Sequence, residues 1–246
     1  MGDPDVPTRT TAAEAAEAEE AVAGAPEPPP SIWDSTAPWA MQLAVLDTRP
    51  ERPAHLAVCE AAVAAVVTLL ADPRSVSGEW TPQVRRWATG PVRKVVRRGR
   101  GVRFAATAAV PGVEVERRGV TVRAFVPLPV DRLPRELATL QVGGTQMPEV
   151  GEPAPPVEGG VTIALTPHAE LSTGKAAAQS AHAAQFAVRG MRHRELERWR
   201  AAGWAVSVVL PDAEEWAALA ARAPVRIRDG GFTEVEPGTM TALAWW

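Results

Sequence analysis

The chain has 246 residues, 46% of them hydrophobic, with 26 basic against 29 acidic residues and a single cysteine. This length admits one large core or two modest ones, and one cysteine excludes an intramolecular disulfide. The longest apolar run, Ala61 to Ala71, is too short to span a bilayer, and no basic stretch leads into an apolar segment at the N-terminus, so a soluble cytoplasmic protein with no membrane partner is expected.

Residues 1–30 hold seven acids, one base, many alanines and the run Pro26 to Pro30, a composition expected of a disordered acidic tail. Without it the body carries 25 bases against 22 acids, so the acidic net charge of −3 hides a slightly basic body. Only Lys94 and Lys175 are lysines, which suggests a high-GC, bacterial genome and draws attention to both positions, since an ammonium offers a compact charge with a tunable pKa.

Met41 to Leu46 predicts a strand, and Ala54 to Leu70 a mostly apolar helix stopped by Asp72-Pro73. Cys59, inside that helix, reads as a small buried hydrophobe. Val92 to Ala109 places Val92, Val95, Val96, Gly99, Val102, Ala106 and Ala109 on one helical face and arginines on the other, so a basic helix is expected. Val113 to Glu116 and Val120 to Val126 flank Arg117-Arg118-Gly119 and predict a hairpin. A short helix is expected over Pro134 to Leu140. Residues 31–147 thus form an α/β domain, and Pro148 to Gly160, with four prolines and three glycines, reads as a linker spanning about 148–159.

The remaining segment, 160–246, alternates strand Val161 to Leu165, helices near Thr173 to Arg189 and Arg194 to Ala202, strand Trp204 to Leu210, helix Asp212 to Arg222, and strands near Val225 to Arg228 and Met240 to Trp245. That alternation predicts a three-layer α/β/α domain with a mixed sheet. The first half opens on a comparable strand, long helix and Trp-bearing helix. There, Val84-Arg-Arg-Trp-Ala-Thr-Gly parallels Leu196-Glu-Arg-Trp-Arg-Ala-Ala-Gly, so the first half reads either as a divergent duplicate or as an unrelated α/β unit.

Ser172-Thr-Gly-Lys opens the small-residue helix with an N-cap candidate, and free backbone donors are expected to converge there. Lys175 in the first turn opposes the helix dipole, which suits either anion binding or a solvated lysine. At 100° per residue, Gln179 and His182 lie within about 40° of Lys175 on one face; His182 fits a catalytic base and a packed histidine equally. Asp229-Gly-Gly and Pro237-Gly238 are explained by turns, and Thr233, Thr239 and Thr241 by strand propensity.

Together and in this order, Gly174-Lys175, Gln179, His182-Ala183, Asp229, Gly231, Thr233, Pro237-Gly238-Thr239 and Thr241 closely resemble the type 2 peptidyl-tRNA hydrolase family over Gly160 to Trp246. The sequence departs from that pattern in Gly230, where the family usually has alanine, and in ending directly after Trp245-Trp246. The resemblance implies hydrolysis of the ester joining a peptide to the 3′ ribose of tRNA, with no metal or cofactor. Carried over by motif position, Lys175, Asp229 and Thr239 form the catalytic cluster, Thr233 and His182 support it, and Gly174, Gln179 and Thr241 contact substrate.

Eight bases and no acid fall between Val84 and Arg103, and Arg93, Lys94, Arg97, Arg98 and Arg100 are read as an RNA-backbone contact. The alternatives are a solvated face for this stretch and, for the whole chain, a non-catalytic RNA-binding protein that keeps the fold. A homodimer is a further expectation.

Overall fold

The computed structural model describes residues 31–48, 51–231 and 234–246; the acidic tail and Thr233 lie outside the described residues. Contacts divide the chain after Asp34. Of the first unit, Ser31–Asp34 is described, a short 3₁₀ turn over Ile32–Asp34 in which Ser31 accepts from the Trp33 and Asp34 amides. Everything below concerns the second unit, Ser35–Trp246.

In chain order this unit contains β1 (Trp39–Leu46), α1 (His55–Ala71), α2 (Pro73–Val76), α3 (Thr81–Thr89), β2 (Arg93–Gly99), α4 (Gly101–Ala106), β3 (Gly112–Arg117), β4 (Val120–Phe125), β5 (Leu128–Pro129) and α5 (Arg135–Ala138). Then follow β6 (Val161–Leu165), α6 (Thr173–Gly190), α7 (His193–Ala201), β7 (Val206–Val209), α8 (Ala213–Arg222), β8 (Val225–Arg228) and β9 (Met240–Trp245). Among the described residues no helix is long and apolar enough to cross a membrane.

Two mixed sheets result, with strand orders β2-β1-β4-β3 and β7-β6-β9-β8, the short β5 pairing with β1 in the first. In each, the first strand pairs parallel with the edge strand after the helices and antiparallel with the last strand, which in turn pairs antiparallel with the strand before it. The two halves therefore share one topology. The tryptophan motifs correspond too: Trp87 Nε1 donates to Arg93 O at 2.9 Å and Trp199 Nε1 to Ala205 O at 2.8 Å, each six residues on and each at the entry to its edge strand.

Helix α1 lies on β3 and β4 and also touches β7 of the other sheet; α6 lies on β6, β8 and β9 and also touches β2. The two helices pack along each other between the sheets. Every residue of α1 from His55 to Val67 is buried, which explains an apolar run with no clear helical period: a helix enclosed on all sides has no polar face. The outer face of the first sheet is covered by Phe104, Leu137 and Leu140 against Ala44 and Phe125, and that of the second by Trp216 and Leu219 against Ala164 and Leu243. The second half is thus the expected α/β/α arrangement, with α6 on one face and α8 on the other.

The basic helix expected over Val92 to Ala109 is a correction. Arg93–Gly99 is a strand in parallel register with β1 from Ala40↔Arg93 to Leu46↔Gly99, and only Gly101–Ala106 is helical. Seven positions of ladder pairing and the β-branched Val95 and Val96 outweigh a helical periodicity that two glycines already weaken. Side chains that a helix would align instead alternate between faces. The helix expected over Pro134 to Leu140 is shorter, Arg135–Ala138.

The segment between the halves is bonded to both central helices. Glu149 O and Val150 O accept from the His55 and Leu56 amides at the start of α1, while Thr145 O accepts from Gly174 N and Gln146 Oε1 from Thr173 N at the start of α6. Glu60, fully buried in α1, accepts from Arg118 Nη1 at 2.7 Å, from Ala154 N at 2.8 Å and from Val208 N on the β7 edge at 3.1 Å. One carboxylate thus joins the first hairpin, the connecting segment and the second sheet. Removing such a carboxylate strands its donors: Glu60→Ala is expected to lower the free energy of urea unfolding by about 3 kcal/mol, and Glu60→Gln, which keeps one acceptor, by about half as much. A loss below about 1 kcal/mol for Glu60→Ala would show that this tie carries little of the fold.

Candidate active site

Where the two halves differ is the connection between their last two strands. In the first, Arg117 pairs with Val120 across the two-residue turn Arg118-Gly119, both at positive φ (51° and 73°), the type I′ geometry of a tight hairpin. In the second, Arg228 pairs with Met240 across residues 229–239. That loop is pinched at its neck, because Asp229 N donates to Thr239 O at 2.9 Å and Gly238 N to Asp229 O at 2.8 Å. Arg118 and Asp229 therefore hold the same place in the repeat, directly after the strand, and each reaches the central helix of its own half.

Asp229 meets α6 at Lys175 and Gln179. Its Oδ2 accepts from Lys175 Nζ at 2.7 Å and from Gln179 Nε2 at 2.6 Å, and its Oδ1 accepts from Gly231 N at 2.8 Å. Gln179 is oriented in turn by Thr241 Oγ1, which donates to its Oε1 at 2.8 Å from the buried start of β9. Both members of the ion pair are nearly enclosed, with side-chain exposures of 11% for Lys175 and 8% for Asp229. A carboxylate has about four acceptor sites; among the described residues three are used, leaving one on Oδ1.

Other predicted residues are placed differently. Thr239 joins the cluster through its backbone, while its hydroxyl donates to Glu236 O at 2.7 Å. Gly174 admits close approach: a Cβ there would come within 3.2 Å of Thr145. The expectation of free helix amides is corrected, since Thr173 N, Gly174 N and Lys175 N are taken by Gln146, Thr145 and Ser172 Oγ. The N-cap serine is itself held, its N and Oγ both donating to Glu234. Glu234, Thr145 and Gln146 were not singled out from the sequence; no local pattern marks them, because each acts on a helix start remote in the chain.

His182 lies on the same face of α6, half-buried and stacked on Phe186 with ring centroids 5.5 Å apart. Burial, then the charges of Lys94, Arg189 and Lys175, pull its pKa from 6.5 down to about 2. An imidazole held neutral that firmly is a weak base near pH 7. Cys59 is inert in the expected way: burial pushes its thiol up to about 12.

Of the five predicted RNA contacts, Arg97 is buried, donating to Gln42 Oε1 at 2.8 Å and to the Leu137 and Leu140 carbonyls. Arg98 is paired with Asp47, which also holds Arg52. Arg100 is exposed and Arg93 half-exposed, and Lys94 reaches across to Gln185 of α6 at 2.5 Å. A cleft of about 390 Å³ is lined by Asp47, Arg98, Arg100 and Arg103 among others, and no residue of the Lys175–Asp229 cluster lines it.

With this geometry established, comparison with known families finds that residues 162–245 match the family model described as Peptidyl-tRNA hydrolase PTH2. That span contains Lys175, Gln179, Asp229, Thr239 and Thr241. No solved structure matches the chain.

The neutral His182 has a measurable consequence. Its folded-state pKa lies below the unfolded value, so the unfolded chain binds the proton first. Stability contributed by the neutral ring is complete above about pH 6.5 and is lost as pH falls, by about 1.4 kcal/mol per unit. Urea unfolding between about pH 5.5 and 4 is expected to show the wild type losing stability more steeply than His182→Asn by about that amount per unit; parallel slopes would mean the ring titrates normally.

Proposed function

We propose that the Lys175–Asp229 cluster hydrolyses the ester bond of peptidyl-tRNA, releasing free tRNA and the peptide. At the level of the family, the match over residues 162–245 supports a peptidyl-tRNA hydrolase-like function. The observation that carries the reading to this chain is the enclosed Lys175–Asp229–Gln179–Thr241 network, in which one ammonium and one carboxylate are fixed to each other and, among the described residues, one acceptor site of the carboxylate is unused.

In this mechanism the remaining Oδ1 site of Asp229 orients a water molecule and takes its proton as it attacks the ester carbonyl carbon. As the tetrahedral intermediate forms, the Lys175 ammonium stabilises its oxyanion in a site where burial strengthens the interaction. Collapse breaks the bond between the carbonyl carbon and the ribose oxygen; Asp229 returns the proton to the ribose oxygen, which leaves as a hydroxyl, and the peptide acid gives its remaining proton to solvent and leaves as a carboxylate. Gln179 and Thr241 act as positioning residues, holding the carboxylate through one amide. Because the first amides of α6 are satisfied by Thr145, Gln146 and Ser172, the oxyanion role falls to the Lys175 ammonium rather than to the helix start.

The test is to incubate the full chain with an N-blocked aminoacyl-tRNA and follow release of uncharged tRNA. Lys175→Ala and Asp229→Ala are each expected to lower kcat/KM by at least about 100-fold, the size seen when one oxyanion donor is removed, with tRNA affinity largely kept. Absence of release by the wild type alongside salt-sensitive tRNA binding would replace the esterase reading with that of an RNA-binding protein.

A further inference from the structure

On α6, Lys175, Gln179, His182, Phe186 and Arg189 recur at intervals of four, three, four and three residues, so they form one stripe along the helix. The cluster described above uses the first two. The rest of the stripe runs outward: His182 is half-buried, Phe186 is 39% exposed and Arg189 is exposed. From Lys175 to Phe186 the stripe covers about 16 Å of helix axis.

Three features distinguish this stretch from an ordinary helix surface. The His182 and Phe186 rings are stacked, interplanar angle 30°, offering a flat aromatic face. The Arg189 guanidinium lies 5.6 Å from the Phe186 ring centroid and spends one donor on Ala88 O at 2.8 Å; a guanidinium has five. Lys94 arrives from β2 of the other half, bonded to Gln185 and set 5.0 Å over the Trp87 ring. Around His182 the acting charges are Lys94, Arg189 and Lys175, all cationic, and Lys94 itself is pushed well below the ordinary lysine range by burial and by Arg189. Lys175 is already answered by Asp229, while Arg189 keeps guanidinium donors unused among the described residues. A stacked aromatic pair beside an exposed guanidinium is what single-stranded nucleic acid binds.

We propose that this face of α6 receives the unpaired 3′-terminal nucleotides of tRNA, with bases stacked on Phe186 and His182 and phosphates against Arg189, which Ala88 of the first half holds in place. The inference rests on the esterase reading and extends it: the strand is led along the helix toward Lys175, and the half of the chain outside the family match holds part of the substrate track in place. It also gives His182 a stacking role in place of a proton-transfer one.

The experiment measures binding of a 5′-labelled, single-stranded RNA octamer to the full chain by fluorescence anisotropy over a range of salt. Phe186→Ala and Arg189→Gln, both at exposed positions whose loss leaves the core intact, are each expected to weaken binding 5- to 30-fold, on the order expected for one stacked base or one phosphate contact. Arg189→Gln should also lower the slope of log affinity against log salt by about one, and Phe186→Trp should restore the affinity that Phe186→Ala loses. Arg222→Gln, an equal charge change on α8, is expected to stay within about twofold of wild type. If the Phe186 and Arg189 variants bind like wild type while the wild type binds the octamer and cleaves peptidyl-tRNA, the track is wrong and the esterase stands; failure of the wild type both to bind RNA and to cleave removes the two together.

Discussion

The constraint on which the structure depends is the enclosure of two adjacent helices between two sheets. Neither α1 nor α6 can pack this way with large side chains on every face, and their shared region is accordingly rich in alanine: Ala61, Ala62 and Ala65 on one, Ala176, Ala177, Ala181 and Ala184 on the other, all fully buried. Close packing brings its own electrostatic demand. The amides at both helix starts lie away from bulk water and have to be satisfied locally, which the connecting segment does for both with residues 145–150. The same enclosure makes the charges of Glu60 and Lys175 worth placing, since an ion held in such surroundings is tightly fixed by whatever pairs with it.

Against that common frame the two halves have used one position in opposite ways. After the third strand of the repeat, the first half has Arg118 reaching a glutamate on its helix, and the second has Asp229 reaching a lysine and a glutamine on its own. The sign of the charge is reversed between helix and loop. In the first half the pair is closed by a two-residue turn, and the carboxylate is spent on structural donors; in the second, with an eleven-residue loop and a cation on the helix, the carboxylate keeps one acceptor site unused among the described residues. The two ion pairs of the repeat thus differ in loop length and in which partner sits on the rigid element.

Much of this was legible in the sequence because it is local. Most of the strands, the mostly apolar α1, the hairpin around Arg118-Gly119 and the paired tryptophan motifs are written in short patterns of apolar and turn residues. The Lys175, Gln179, Asp229 and Thr241 network was legible through the spacing of a family motif. The strand Arg93–Gly99 was not, because valines and arginines in that order satisfy a helical period as well as a strand's, and what decides between them is pairing with Trp39–Leu46 some fifty residues earlier. For the same reason Arg97 looked like a surface charge although its guanidinium is bound to Gln42 and two interior carbonyls. Thr145, Gln146 and Glu234 belong to stretches with no periodic signal, and their partners at the start of α6 are set by the fold alone.

The reach of Glu60 to Val208 also bears on the order in which the chain can fold as it is made. A ribosome that has released only the first half has produced a complete four-strand ladder, yet α1 in that half still lacks α6 along its side and β7 over its carboxylate. The apolar helix and its one buried acid find their last partners only when some four-fifths of the chain has emerged. Despite the repeated topology, the first half therefore cannot complete the surroundings of α1 and Glu60 until the second half is present.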